Sequence, residues 1–261
     1  KSNLFEFEKF LAKKFNYTPK KNYNKLYNWT IKNPKLFWTS VWEFSNVKGI
    51  KNDKFYFPKE IIKSKFLLKS KLNYAENLLS KNDNSKAVTF ISENGYREEK
   101  SWKELNKNTL KLFNFFKENK IKKKDRIAAY TANQIETVEG FIAASAIGAI
   151  WSSCSPDFGT QGVIERFTQI KPKLLIITDR YYYNGKEINV LERLPAILKK
   201  IKSIQSVLIT NYPGKKNLKQ KKIKGIKIFY FNKLKHKVKS KITFKKFDFD
   251  KELAILYSSG T

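Results

Sequence analysis

Two rhythms of apolar and polar positions divide the chain. Up to about residue 85 large rings recur three and four residues apart in short helical stretches. Asn33 followed by Pro34 reads as an N-cap and first helical residue, and Phe37, Trp38, Val41, Trp42 and Ser45 then follow one helix face. Large rings contribute most when buried against another element, so this stripe reads as core packing rather than a cofactor site. From Lys86 the pattern changes. Ala87 to Ile91 is a predicted strand, Gly95 a turn, and Ser101 with Glu104 has capping-box spacing before a helix whose face is Trp102, Leu105, Leu112, Phe113 and Phe116.

Strand and helix then alternate. Arg126 to Thr131, Ala149 to Ser152, Leu174 to Thr178 and Val207 to Thr210 read as strands. Between them lie predicted helices: one capped by Asn133 with Glu136 and running through Ile147, then Gln161 to Ile170, then Val190 to Ile201. Near-continuous apolar strands separated by amphipathic helices predict an α/β fold with a mainly parallel sheet flanked by helices on both faces. Residues 1–85 form a separate N-terminal helical region in this division, and 86–261 the α/β part. Asn211 to Ser240 is lysine-rich and reads as a surface excursion with a strand at Ile226 to Phe231, before Leu253 to Tyr257 re-enters as a short buried strand.

Composition adds bounds. With 41% hydrophobic and 15% aromatic residues in 261, there is ample material for a core. A formal charge of +31 invites a nucleic-acid partner. Its distribution points elsewhere: only Arg97, Arg126, Arg166, Arg180 and Arg193 supply the bidentate guanidinium that base readers favour, and the lysines are scattered everywhere. A solvated basic surface follows, with no specific nucleic-acid partner. The single cysteine, Cys154, rules out an internal disulfide and suits a reducing compartment, with the cytoplasm as the default location. The longest nearly uncharged run, Phe141 to Cys154, falls short of the roughly 20 residues that span a bilayer, so no membrane association is expected. Residue 1 is lysine and the chain has no methionine, which predicts an internal piece of a longer protein.

Most reaction types find no residues. The one histidine, His236, lies in a basic stretch without an acidic neighbour, and there is no glycine-flanked nucleophile elbow from which to build a triad. Cys154 has no cysteine or histidine at ligand spacing, so it reads as structural and no metal cluster is expected. Two segments carry chemistry instead. Trp151-Ser152-Ser153-Cys154-Ser155-Pro156-Asp157-Phe158-Gly159 is a strand end and hydroxyl-rich loop opening a helix near Thr160. At the other end of the chain a strand empties into Ser258-Ser259-Gly260-Thr261, small residues whose N–H groups and hydroxyls suit an oxyanion.

In this wording the chain resembles the adenylate-forming acyl-CoA synthetases, in their acetoacetyl-CoA synthetase branch, from Phe5 to Thr261. The resemblance is carried by Tyr27-Asn28-Trp29-Thr30, Phe37 to Trp42, Leu72 to Leu79, Trp151 to Gly159, and Leu256-Tyr257-Ser258-Ser259-Gly260-Thr261. The last of these is similar to the opening of the family's phosphate loop. It implies ligation of acetoacetate to CoA in two steps: the carboxylate attacks the α-phosphorus of MgATP to give acetoacetyl-AMP and pyrophosphate, and the CoA thiol then displaces AMP. It also implies that Ser258, Ser259, Gly260 and Thr261 contact ATP phosphates, Gly260 permitting close backbone approach.

By the same resemblance Gly185 and Lys186, in Tyr183-Asn184-Gly185-Lys186, match a segment that meets the CoA nucleotide. Tyr183 stands where the family carries arginine, and a plain glycine turn with a solvated lysine is the other reading. The implied substrates and cofactors are ATP, Mg2+, CoA and acetoacetate. The adenine pocket, most of the acyl pocket and the adenylation lysine would lie after Thr261, so no catalytic residue falls within the chain, and the piece alone is expected to form no acyl-adenylate. Two alternatives stay open: a ligase for acetate or propionate, and a basic nucleic-acid-binding α/β protein.

Overall fold

The computed structural model describes residues 2–19, 22–216, 218–220, 222–235 and 241–258. Two compact units emerge, one made of residues 1–72 with 246–251, the other of 73–245 with 252–261.

The first unit opens with three helices, α1 (Asn3–Phe15), α2 (Tyr23–Lys32) and α3 (Pro34–Phe44). Ser2 and Asn22 cap the first two with their side chains, and Pro34 occupies the first turn of α3, where its missing N–H has no partner to lose. Phe7, Leu11, Tyr17 and Leu26 form their core, against which Phe37 and Val41 pack. Of the stripe on α3, Phe37, Val41 and Trp42 pack as the spacing predicts, whereas Trp38 and Ser45 are exposed, Trp38 lying against Phe37 and Phe66 at the edge. Four short strands follow: β1 (Gly49–Ile50), β2 (Lys54–Tyr56), β3 (Lys65–Leu68) and β4 (Lys71–Leu72).

The second unit begins with α4 (Tyr74–Leu78), capped by the buried Asn73, whose amide also donates to the carbonyls of Ala146 and Lys245. Next come β5 (Lys86–Ile91) and β6 (Arg97–Ser101), an antiparallel hairpin, and α5 (Trp102–Glu118), which opens on the capping box of Ser101 and Glu104. Then the chain alternates: β7 (Arg126–Tyr130), α6 (Ile135–Ile147), β8 (Ile150–Cys154), α7 (Thr160–Ile170), β9 (Leu174–Thr178). A second hairpin, β10 (Arg180–Tyr183) and β11 (Lys186–Asn189), interrupts the pattern before α8 (Leu194–Lys200), β12 (Ser206–Thr210) and β13 (Lys227–Tyr230). The chain then returns to the first unit as β14 (Phe247–Asp248), which pairs antiparallel with β4.

Five strands make one parallel sheet in the order β13-β12-β9-β7-β8. Period-two alternation divides its side chains between two cores. Ile127, Ala129, Leu174, Ile176 and Leu208 face Leu112, Phe116, Ile142 and Ala143 of α5 and α6. Ala128, Tyr130, Leu175, Ile177, Val207 and Ile209 face Val163 and Phe167 of α7 and Leu194 and Ile197 of α8. The α/β architecture read from the sequence is therefore the one observed, both sheet faces being covered as uninterrupted apolar strands require.

Close packing on one face sets a testable limit. A Cβ at Gly140 of α6 would come within 2.9 Å of the Trp151 ring and 3.4 Å of Ile176. Gly140→Ala is expected to lower stability by about 1–3 kcal/mol despite alanine's better helix propensity, as overpacking does. A more stable variant in urea unfolding would contradict this.

Three local expectations need correction. The helix after β7 is capped by Gln134 without a side-chain bond, not by Asn133 with Glu136, because Glu136 is drawn into a buried ion cluster. The single helix foreseen from Val190 to Ile201 is a 3-10 turn, Leu191–Arg193, followed by α8, with Pro195 in its first turn. Leu253 to Tyr257 runs parallel to β8 but among the described residues forms only one bridge, Trp151 to Ala254; it is half-buried, and Leu256 is 82% exposed.

Candidate functional site

In a parallel sheet with helices on both faces, loops beyond the C-terminal strand ends form the natural ligand crevice. Tyr130, Cys154, Thr178 and Thr210 end four of the strands at this edge. The segment from Leu253 arrives there too. Trp151 N donates to Leu253 O at 3.1 Å, Ile255 N to Trp151 O at 2.8 Å, and the Ser152 hydroxyl to Ile255 O at 2.9 Å. Ser258 thus emerges, exposed, beside the end of β8. Ser259, Gly260 and Thr261 lie outside the described residues, as does His236.

The loop from Ser155 to Gly159 is clasped from two sides. The Tyr130 hydroxyl donates to Pro156 O at 3.2 Å and Phe158 O at 2.5 Å. Arg193 Nη1 donates to the same two carbonyls at 2.8 and 3.2 Å, and to the Tyr130 hydroxyl. Burial pushes the Tyr130 phenol up against the opposing pull of Arg193, so it stays a neutral donor. On the far side the Arg166 guanidinium lies 4.1 Å from the Phe158 ring centre. Asp157, in the loop itself, accepts from the Ser155 hydroxyl and makes no ion pair among the described residues.

Cys154 is buried and free, and burial drives its thiol up to about 11, against a weaker pull from Arg166. A thiol so protonated is a poor nucleophile and metal ligand, in line with its structural reading. Among the described residues no three acidic, histidine or cysteine side chains are grouped to hold a metal. Nor does any described helix have the length and apolarity to cross a membrane.

The Tyr183 to Lys186 segment is the tip of the β10–β11 hairpin. Asn184 and Gly185 have φ of 49° and 70°, and Tyr183 pairs with Lys186 across them, which makes a two-residue primed turn. Lys186 is exposed, and Gly185 N donates to Glu93 Oε1 at 3.1 Å. Asn-Gly flanked by aromatic and β-branched residues was the available signal for this hairpin, which the alternating pattern did not reveal. The clasp by Tyr130 and Arg193 joins residues far apart in the chain and left no local signal.

A family model described as AMP-binding enzyme matches residues 77–261. The chain is 35% identical over 249 residues to the acetoacetyl-CoA synthetase of Gallus gallus, and 34% identical over 241 residues to the acetoacetyl-coenzyme A synthetase of Rhizobium meliloti. Each alignment covers 92% of this chain and 37% of the relative, so the chain spans a little over a third of those proteins' length. Among solved structures, the acetoacetyl-CoA synthetase of Streptomyces lividans superposes with a TM-score of 0.85 at 24% identity, covering 98% of this chain and 39% of that one, which is a likeness of fold. On the match over residues 77–261, the chain belongs to the AMP-binding enzyme family.

Proposed function

We propose that the chain is part of an ATP-dependent ligase that joins acetoacetate to CoA through acetoacetyl-AMP, releasing AMP and pyrophosphate. The observation that carries this reading is the delivery of Tyr257 and Ser258 to the C-terminal sheet edge beside β8, in a chain similar to the acetoacetyl-CoA synthetases of Gallus gallus and Rhizobium meliloti. Ser258, with Ser259, Gly260 and Thr261 after it, would hold ATP phosphates through N–H groups and hydroxyls, where preorganised dipoles stabilise developing charge. Gly185 and Lys186 would meet the CoA nucleotide. The Gly185 N–H already serves a carboxylate, a ligand of the same charge type as a phosphate. In this assignment residues 1–85 are the helical approach and 86–261 the first part of the adenylation domain, acting in the cytoplasm on small molecules.

The described residues offer no carboxylate set for Mg2+, so the ion belongs to the nucleotide in this proposal and no step is assigned to it. The test uses the completed protein, at the length of its relatives. Acetoacetate is expected to support ATP–pyrophosphate exchange with a kcat/KM at least about tenfold above acetate or propionate, the scale at which a pocket tells small acids apart. Equal or better exchange with acetate would move the assignment to another short-chain acid. Exchange with no acid would remove the ligase reading.

A further inference from the structure

We infer that Arg166 is a positioning residue for the phosphate-binding turn, acting through Tyr257. The inference rests on the assignment of Ser258 to ATP. Arg166 lies on α7, the helix that follows the clasped loop, and its Nη1 donates to Gly162 O one turn back at 3.0 Å, which turns the guanidinium toward the sheet edge. Its flat group lies 4.1 Å from the ring centre of Phe158 and 5.8 Å from that of Tyr257. The Tyr257 hydroxyl returns to the same residue, donating to Arg166 O at 2.7 Å. Arg166 therefore holds Tyr257 at both ends, ring by the side chain and hydroxyl by the main chain.

Tyr257 also packs against the core under α7 and its hydroxyl meets that of Ser152, so Arg166 shares the anchoring of the last step before Ser258. The ladder to β8 ends at Ile255, held by Trp151 O and the Ser152 hydroxyl, and Leu256 projects into solvent. Tyr257 is thus the final described anchor before Ser258, and Arg166 is the one residue that meets both its ring and its hydroxyl. The charge matters as well. Arg166 makes no ion pair with a described carboxylate: Glu165 accepts from Gln161, and Asp157 from Ser155. An uncompensated guanidinium next to the start of an oxyanion-binding turn raises the local potential for a phosphate.

The geometry separates the two contributions. A planar guanidinium set against two rings fixes orientation in a way that an ammonium cannot reproduce, although the ammonium keeps the charge. In the completed protein, Arg166→Ala is expected to lower kcat/KM for MgATP in acetoacetate-driven pyrophosphate exchange by about tenfold or more, the scale of a small misplacement at a reacting centre. KM for CoA and the thermal midpoint should stay near the parent values. Arg166→Lys should recover less than about a third of the loss, since positioning rather than charge dominates.

Tyr257→Phe keeps the ring and loses one tether, so its loss should fall between the parent and Arg166→Ala; it decides the matter if the alanine variant does not fold. Parent-like exchange by Arg166→Ala, or full recovery with lysine, would overturn the positioning role. A fall in midpoint with equal losses toward MgATP and CoA would also overturn it, because that is the signature of general loosening. Failure of the parent protein to exchange with any acid is a different result, seen before any substitution, and it removes the ATP assignment on which the inference stands.

Discussion

Asp179→Ala is expected to lower stability by about 3–5 kcal/mol, the cost of breaking a buried charged pair and stranding its partners. Asp179 directly follows β9 and is fully buried. One carboxylate oxygen accepts from Tyr212 N and the other from Leu218 N, each at 2.9 Å, and Arg180 Nη2 approaches to 3.4 Å. Its main chain is equally committed, donating to Thr210 O and accepting from Val190 N. Removing the carboxylate leaves two main-chain N–H groups without acceptors and takes one anion from Arg180, which keeps Glu187 and Lys216 O. Asp179→Asn retains one carbonyl oxygen but turns an NH2 toward a donor, so about half the loss is expected. Urea unfolding followed by tryptophan fluorescence reports the change, since Trp151 lies in the same sheet. A loss below 1 kcal/mol for the alanine variant would mean that the loop after β12 is held by something else. The exposed Asp157→Ala serves as a control, with a change within about 0.5 kcal/mol.

The second large effect concerns pH. Glu139 on α6 is fully buried and faces Lys100 of β6 at 3.5 Å and the Asn108 amide of α5 at 2.8 Å. Glu98 and Glu136 reach the same ammonium at 3.5 and 3.6 Å, and Lys111 of α5 adds a more distant charge. One lysine thus sits among three carboxylates, and one oxygen each of Glu136 and Glu139 has no hydrogen-bond partner. Burial is the main cause that pushes Glu139 up, to about 8, with Glu136 adding to it and Lys100 opposing; Glu136 is raised as well, again by burial first. For Lys100 burial works against the charge, but the three carboxylates outweigh it and hold the ammonium protonated.

The sign follows from proton counting. Between the ordinary 4.5 and about 8 the folded protein keeps a proton on Glu139 that the unfolded chain has released. Stability contributed by this site is complete below 4.5 and is lost as pH rises through the window, with a limiting slope of about 1.4 kcal/mol per pH unit for one proton. Glu139→Gln carries no such proton. It is expected to match the parent near pH 5 and to become progressively more stable than the parent up to pH 9. Comparing the two proteins cancels the background titration of the basic surface. Parallel stability curves from pH 5 to 9 would show that Glu139 ionises normally.

How much of this was legible beforehand depends on how local each cause is. The parallel sheet was readable because β7, β9 and β12 are short apolar runs between helices with one apolar face, and such runs are stable only when covered on both sides. The capping box at Ser101 and Glu104 was readable because both partners lie within one turn. The same grammar misled at Asn133 and Glu136, where a lysine on the preceding hairpin, 36 positions upstream, outcompetes the cap for the carboxylate. The apolar run Ala87 to Ile91 reads as a strand, but its pairing with Arg97 to Ser101 leaves no sequence signal, since Arg-Glu-Glu-Lys-Ser has no apolar alternation and acquires its extended form from its partner.

The site shows the same division. The small residues at the end of the chain and the hydroxyl-rich loop after β8 were visible as composition. In the sequence Arg166 and Arg193 stand out only as scarce guanidinium groups. Their work lies in contacts with Tyr257, Tyr130 and two loop carbonyls, each fixed by tertiary placement, and no periodicity reports it. Asp179 carries no local sign of its role either, since its two oxygens organise a loop more than thirty residues away.

The return of β14 to pair with β4 also sets an order of events during synthesis. Leu72 leaves the ribosome well before its partner Phe247 exists. At the usual ~5–20 residues per second, the intervening stretch takes on the order of ten to thirty-five seconds to make. Throughout that interval one side of β4 is an open strand edge, the kind of surface that recruits other chains. Lys71 within the strand and Lys69 just before it, both exposed, place positive charge there, which discourages a second copy from adding to the same edge until the chain's own strand arrives.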